Sequence, residues 1–369
     1  MKRTARAAAA LSIAALALAG CGQREEATTA TDEPTTSESP STDESSAPAA
    51  ENPDFKACIV SDSGGFEDKS FNQTSYAGLE AAAESLGIET GEVESNSPSE
   101  FKDNIDAMVQ QDCNSITTVG FLLGDATEQA AKKNPDIDFS IVDFGYAKPP
   151  KNLKGLLFNT AEPSFLAGYL AAGVSESGIV GTFGGAQIPS VTAFMDGFQL
   201  GVEKYNEDNG AEVQLVGWDR ETQKGTFTQD FESKTKGQNA AEEEITQGAD
   251  IIFPVAGPAG LGALEAVKAQ GLKAIWVDTD GCESAAEYCD VLLTSVMKGM
   301  DVAVEDAITA SVEGAFDNKP YTGTLENGGV GLAPFHEQES AVPAELSAQV
   351  DELRQQIIDG DITVTPEAG

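Results

Sequence analysis

The chain has 369 residues, with 61 acidic against 22 basic side chains and a net charge of −39. A surface of that sign repels phosphate backbones, which excludes nucleic acid as a partner, and the acid excess reads as a solubility adaptation of the kind a saline habitat favours. The single histidine, His336, excludes a histidine-based metal cluster and leaves a Ser-His-Asp or Cys-His nucleophile without a partner motif.

Lys2, Arg3 and Arg6 precede an apolar run over 7–18, and Ala19-Gly20 stand before Cys21. A charged start, a short apolar stretch and small residues form an export signal over 1–20. The run falls short of the roughly 20 residues that span a bilayer. Leu18-Ala19-Gly20-Cys21 resembles the lipobox of bacterial lipoproteins. The resemblance implies that the Cys21 thiol takes a diacylglycerol, which places the protein on the extracytoplasmic face of the cell membrane. From Cys21 to residue 54 the composition is Thr, Ser, Glu, Asp, Pro and Ala, too poor in apolar surface to fold. It reads as a tether that lets the folded part stand about 30 Å off the membrane.

Four further cysteines remain, an even number in an exported chain. Cys282 and Cys289 flank six residues and are expected to pair locally. Cys58 and Cys113 each begin an apolar, strand-like run, and neighbouring parallel strands would bring them together.

From residue 55 onward, β-branched runs alternate with helical stretches. Strands are predicted over 57–60, 115–119, 139–143, 179–183, 213–216, 251–255 and 274–277. Helices are predicted over 71–86, 125–133, 191–205 and 261–270. Such alternation predicts parallel sheets with crossover helices, enough for two lobes. Glu162-Pro163 opens a helix where the chain would pass between them. We therefore expect one lobe over 55–160, completed by about 285–315, and a second over 161–284, completed by about 316–369.

Sheets of this kind bind ligands beyond the carboxyl ends of their strands, so the residues that follow each strand carry the interest. They are Asp62-Ser63-Gly64-Gly65, Gly120 to Asp125, Gly184-Gly185, Gly257 to Gly260 and Asp278-Thr279-Asp280-Gly281. Gly257 to Gly262 fits neither the Walker pattern nor the dinucleotide fingerprint, and no cofactor is called for. Asp278 to Gly281 superficially resembles the calcium loop of nucleoside hydrolases. Those enzymes carry that cluster at the start of the chain, and no enzymatic activity is expected here.

The run Asp62-Ser63-Gly64-Gly65-Phe66-Glu67-Asp68-Lys69-Ser70-Phe71-Asn72-Gln73 is similar to the signature of the basic membrane lipoprotein family, the PnrA-like nucleoside-binding lipoproteins. Further similar blocks are Glu162 to Tyr169, Gly184 to Phe198, Val255 to Gly262 and Leu293 to Lys298. The resemblance implies an α/β type I periplasmic-binding-protein fold, with two doubly wound parallel-sheet lobes joined by a hinge. It implies a monomer that hands a small ligand, a purine nucleoside in the characterised branch, to the permease and ATPase subunits of an ABC importer. Transferred by motif, its pocket comprises Asp62, Phe71, Asn72, Asp125, Phe194, Gly257, Asp278 and Lys298.

These residue types suit an uncharged nucleoside. Phe71 and Phe194 offer stacking faces, Asp62 or Asp125 would accept base N–H groups, and Asn72 both donates and accepts. Asp278 would take the two ribose hydroxyls, and Lys298 would donate to the sugar and offset the carboxylates. Structural rivals stand beside each role: packing for the two phenylalanines, capping for Asp62 and Asp278. A sensor domain of a signalling system, or a binder of another solute such as a sugar, remains an open alternative.

Overall fold

The computed structural model describes residues 52–366, all within one unit spanning Pro48–Gly369. The export signal, Cys21 and nearly all of the tether lie outside the described residues.

In chain order the elements are β1 (Lys56–Ser61), α1 (Phe71–Leu86), β2 (Glu89–Val93), α2 (Phe101–Gln110), β3 (Ser115–Val119), α3 (Gly124–Lys133), β4 (Asp138–Val142), β5 (Leu153–Phe158), α4 (Ala161–Val174), β6 (Ile179–Gly184), α5 (Pro189–Asn209) and β7 (Gln214–Val216). There follow β8 (Trp218–Asp219), β9 (Lys224–Gly225), α6 (Lys234–Thr246), β10 (Ile251–Val255), α7 (Gly260–Gln270), β11 (Lys273–Asp278), α8 (Gly281–Ser284), β12 (Leu292–Lys298), α9 (Met300–Val312), β13 (Tyr321–Gly323), β14 (Val330–Leu332) and α10 (Ala344–Ile358).

Two six-stranded sheets result, in the orders β13-β5-β4-β3-β1-β2 and β14-β12-β11-β10-β6-β7. Five strands of each repeat one pattern, with the first strand of the lobe between its second and third. Every pair in the first sheet is parallel, and in the second only β14 runs antiparallel to its neighbour. A β8-β9 hairpin stands apart from both sheets.

The central strands are buried on both faces, as crossover helices require, and β3 and β10 carry no exposed residue. In the first lobe α1 and α9 cover one face and α2 and α3 the other; in the second, α4, α5 and α10 lie opposite α6 and α7. Helices α4 and α5 approach most closely through glycines. A Cβ on Gly168 would lie 2.0 Å from the Phe198 carbonyl oxygen, and one on Gly201 2.0 Å from that of Phe165. Alanine at either position would push the helices apart.

Both expected disulfides are present, Cys58–Cys113 and Cys282–Cys289. The first ties β1 to the start of its parallel neighbour β3; the second clasps the loop that follows β11.

The boundary between lobes differs from the sequence expectation. Strand β12 pairs with β11 in the second sheet, so the chain crosses at Gly299 and not near 285. It returns after β13, between 323 and 330, and not near 316. Composition alone does not reveal these points, because β12 is apolar enough to serve either sheet and only its partner decides. The three crossings are bonded together at one edge. Asn159 N–H donates to Gly323 O at 2.8 Å, Leu325 N–H to Glu162 Oε2 at 2.8 Å, and Gly299 N–H to Gly329 O at 3.0 Å.

Candidate binding cleft between the lobes

The carboxyl ends of both sheets face a cleft lined from both lobes. One lobe contributes Asp62, Asp68, Phe71, Asn72, Phe121 and Asp143, and the other Val191, Phe194, Phe231, Gly257, Asp278 and Lys298.

Asp62 follows β1, and its backbone N–H continues the ladder to Val119 O at 3.1 Å. Its side chain fits because residue 120 is glycine: a Cβ there would lie 2.2 Å from Asp62 Oδ2, and the backbone φ of +117° also demands glycine. Asn72, in the first turn of α1, donates from Nδ2 to Asp62 Oδ1 at 3.0 Å and to Ser63 O at 3.3 Å. Its Oδ1 is buried and has no partner among the described residues. An acceptor in that state costs free energy unless a ligand N–H or a water reaches it.

Lys298 ends β12 and is the cation around which the carboxylates gather. Its Nζ lies 2.7 Å from Asp143 Oδ2 and 3.3 Å from Asp278 Oδ1, and 4.4 Å from the centre of the Phe71 ring. Burial pushes this ammonium down, but Asp143 and Asp278 outweigh burial and hold it above the ordinary lysine value. Asp143 and Asp278 both adopt left-handed backbone, with φ of 66° and 70°. Each ends its strand by turning its side chain to the same lysine.

Asp62 has no such cation in contact among the described residues. It opens only into the cleft, and burial, opposed chiefly by the Asn72 hydrogen bond, pushes its carboxyl up to about 8. Burial likewise raises Asp68 to about 6, against three backbone N–H donors. The folded state therefore binds more protons at these sites than the unfolded chain, whose carboxyls titrate near 3.8. Stability contributed by neutral Asp62 is complete below pH 4 and declines as pH rises towards 8. The slope is at most about 1.4 kcal/mol per pH unit. Asp62→Asn should flatten the fall in ligand-free melting temperature between pH 5 and 8. An unchanged slope in thermal scans of the variant would show that Asp62 is ionised throughout.

Of the eight residues predicted from sequence, seven meet at the cleft: Asp62, Phe71, Asn72, Phe194, Gly257, Asp278 and Lys298. Asp125 does not. A short turn over Phe121–Leu123 runs straight into α3 and carries Asp125 to the exposed first turn of that helix, where a carboxylate complements the helix dipole. Phe194 is 2 % exposed and belongs to the core beneath the cleft, with its ring 6.3 Å from that of Phe253. Phe231, half-buried on the connection between β9 and α6, is the aromatic side chain of this lobe with more surface at the cleft. Its ring packs over Gly185, where a Cβ would lie 2.3 Å from Phe231 Cδ1.

Sequence reasoning missed Phe231 because the two-residue strand before it carries no apolar run to read. It missed Asp143 because the strand predicted over 139–143 takes that residue as its last, leaving it out of the turn that follows. In the Asp278-Thr279-Asp280-Gly281 segment, Asp280 caps the turn of α8 by accepting the Cys282 N–H at 2.9 Å, and its Oδ2 lies 2.6 Å from His336 Nε2.

Comparison with known proteins agrees with this geometry. Residues 55–367 match the Bmp family, described as ABC transporter substrate-binding protein PnrA-like. The chain is 30% identical to the ABC transporter nucleoside-binding protein BmpA of Lactococcus lactis over 332 residues, 84% of this chain and 89% of the relative. It is 32% identical to the CD4+ T-cell-stimulating antigen of Listeria monocytogenes over 333 residues, 84% and 88% of the two chains. Among solved structures, a solute-binding protein of an ABC transporter system from Aeropyrum pernix superposes with a TM-score of 0.77 at 27% identity, covering 85% of this chain and 94% of that one. The chain thus belongs to the Bmp family of PnrA-like ABC transporter substrate-binding proteins.

Proposed function

We propose that the protein captures a purine nucleoside between its lobes and delivers it to the permease of an ABC importer, held to the outer face of the cell membrane by an acylated Cys21. The observation that carries this reading is the charge balance of the cleft. Among the described residues its one ammonium, Lys298, is already matched by Asp143 and Asp278, and Asp62 and Asp68 add further hydrogen-bonding groups. Such a site has no positive charge left for a phosphate, but it suits a neutral ligand rich in N–H and O–H donors. Phe71 and Phe231 supply the apolar faces for a flat base, with Phe194 packed in the floor beneath them. The nucleoside-binding relative in Lactococcus lactis supports the same choice.

Equilibrium dialysis with labelled guanosine tests it. Unlabelled guanosine should displace the label, and a hundredfold excess of GMP should not. Displacement by GMP at equal concentration would contradict the charge argument. The anchor is checked separately, since Cys21→Ser should move the protein from the membrane fraction to the medium.

A further inference from the structure

Ser70 stands at the N-cap position of α1, where a serine hydroxyl ordinarily accepts an N–H of the first helical turn. Here it makes no cap bond. Asp68 does that work from two residues upstream: its Oδ1 accepts the N–H groups of Ser70 and Gln73, each at 3.0 Å, and its Oδ2 accepts that of Asn72 at 2.9 Å. The Ser70 hydroxyl is released from capping and donates instead to Asp278 Oδ2 in the opposite lobe, at 2.7 Å and fully buried. Lys69 reaches the same lobe twice. Its carbonyl accepts the Trp276 indole N–H at 3.2 Å, and its Nζ pairs with Glu287 at 3.1 Å. Lys69 holds a φ of 61°, a left-handed conformation that a non-glycine residue keeps only where its surroundings impose it. Two consecutive residues thus make three polar bonds across the cleft, and one of them ends on a carboxylate that lines it.

We propose that Ser70, freed by the Asp68 cap, is a positioning residue that fixes the Asp278 carboxylate for the ligand and clasps the two lobes together. Asp278 is then held from both sides, Oδ1 by Lys298 of its own lobe and Oδ2 by Ser70 of the other. The ligand meets a carboxylate that is aimed only when the lobes are together, so closure and recognition depend on the same bond.

The chain contains two tryptophans, and each indole N–H is bonded differently. Trp276 bonds across the cleft, whereas Trp218 bonds to Asp196 at 2.9 Å within one lobe and serves as an internal control. In the ligand-free full chain, NMR should show the Trp276 indole N–H of Ser70→Ala exchanging about tenfold faster than wild type, with Trp218 unchanged and Ser70→Thr close to wild type. With guanosine as probe, Ser70→Ala should release the ligand about tenfold faster while its kon stays within about twofold. Unchanged Trp276 exchange in Ser70→Ala would overturn the clasp, and so would equal acceleration at Trp218, which would indicate general loosening. The release measurement rests on the nucleoside reading and the indole measurement does not. If the wild type takes up no guanosine, that reading fails and Trp276 exchange still decides the clasp.

Discussion

Lys298→Met is expected to cost the fold about 3–5 kcal/mol and to weaken nucleoside binding by at least about a hundredfold. The lysine is 3 % exposed and lies within ion-pair distance of both Asp143 and Asp278. Removing it leaves two carboxylates facing each other in a space closed to bulk water. Methionine conserves most of the volume, so a cavity is not the main effect. The deficit should also shrink as the pH is lowered towards 5, because burial already raises the Asp143 carboxyl and without the opposing ammonium it takes up a proton more readily. Urea unfolding of wild type and variant at pH 5 and pH 8 checks both parts. A variant within 1 kcal/mol of wild type at pH 8 would mean that Lys298 does not neutralise the pair.

The second large effect is expected at Asp278. Its carboxylate accepts from Lys298 at Oδ1 and from Ser70 at Oδ2. Asn offers one oxygen and one NH₂, so Asp278→Asn either turns the NH₂ onto the Lys298 ammonium and loses that bond, or turns it onto the Ser70 hydroxyl, which must then accept instead of donate; the charge that strengthens both bonds is lost whichever way the amide lies. Hydrogen bonds to charged groups contribute about 1.5–3 kcal/mol, and binding should weaken by roughly ten- to a hundredfold. If the carboxylate also accepts ribose hydroxyls, the wild type should prefer guanosine to its 2′-deoxy form and the variant should lose much of that preference. Titrations of both ligands into both proteins separate this contact from general damage. A variant that keeps the full preference would place the sugar elsewhere.

The sequence made the strand-end logic of the cleft legible, because Asp62 and Asp278 follow apolar runs and sit beside glycines that only a tight, ligand-facing turn requires. Asn72 and Lys298 were reached through the family signature and not through composition. Asp143 escaped because it reads as the last residue of the strand over 139–143, whereas its backbone has already turned left-handed there. Phe231 escaped because it arrives on the connection from a two-residue hairpin, which carries no hydrophobic period to read. Asp125 was misplaced because a turn and a helix start share one composition, and the backbone between Gly120 and Gly124 decides which way the side chain leaves. The crossings at Gly299 and after Gly323 were illegible for a related reason: sheet membership is a property of pairs of strands. The clasp is the deepest case. Ser70 reads from sequence as an ordinary helix cap, and only coordinates show Asp68 taking its place.

Capture of a neutral, donor-rich ligand between aromatic faces and carboxylates is tested most directly by calorimetry of the purified protein against a panel of guanosine, inosine, free bases, D-ribose and hexoses. The account predicts one-to-one binding of the two nucleosides with micromolar or tighter Kd and far weaker heats for bases and sugars alone. Tight binding of a sugar with no response to either nucleoside would contradict it.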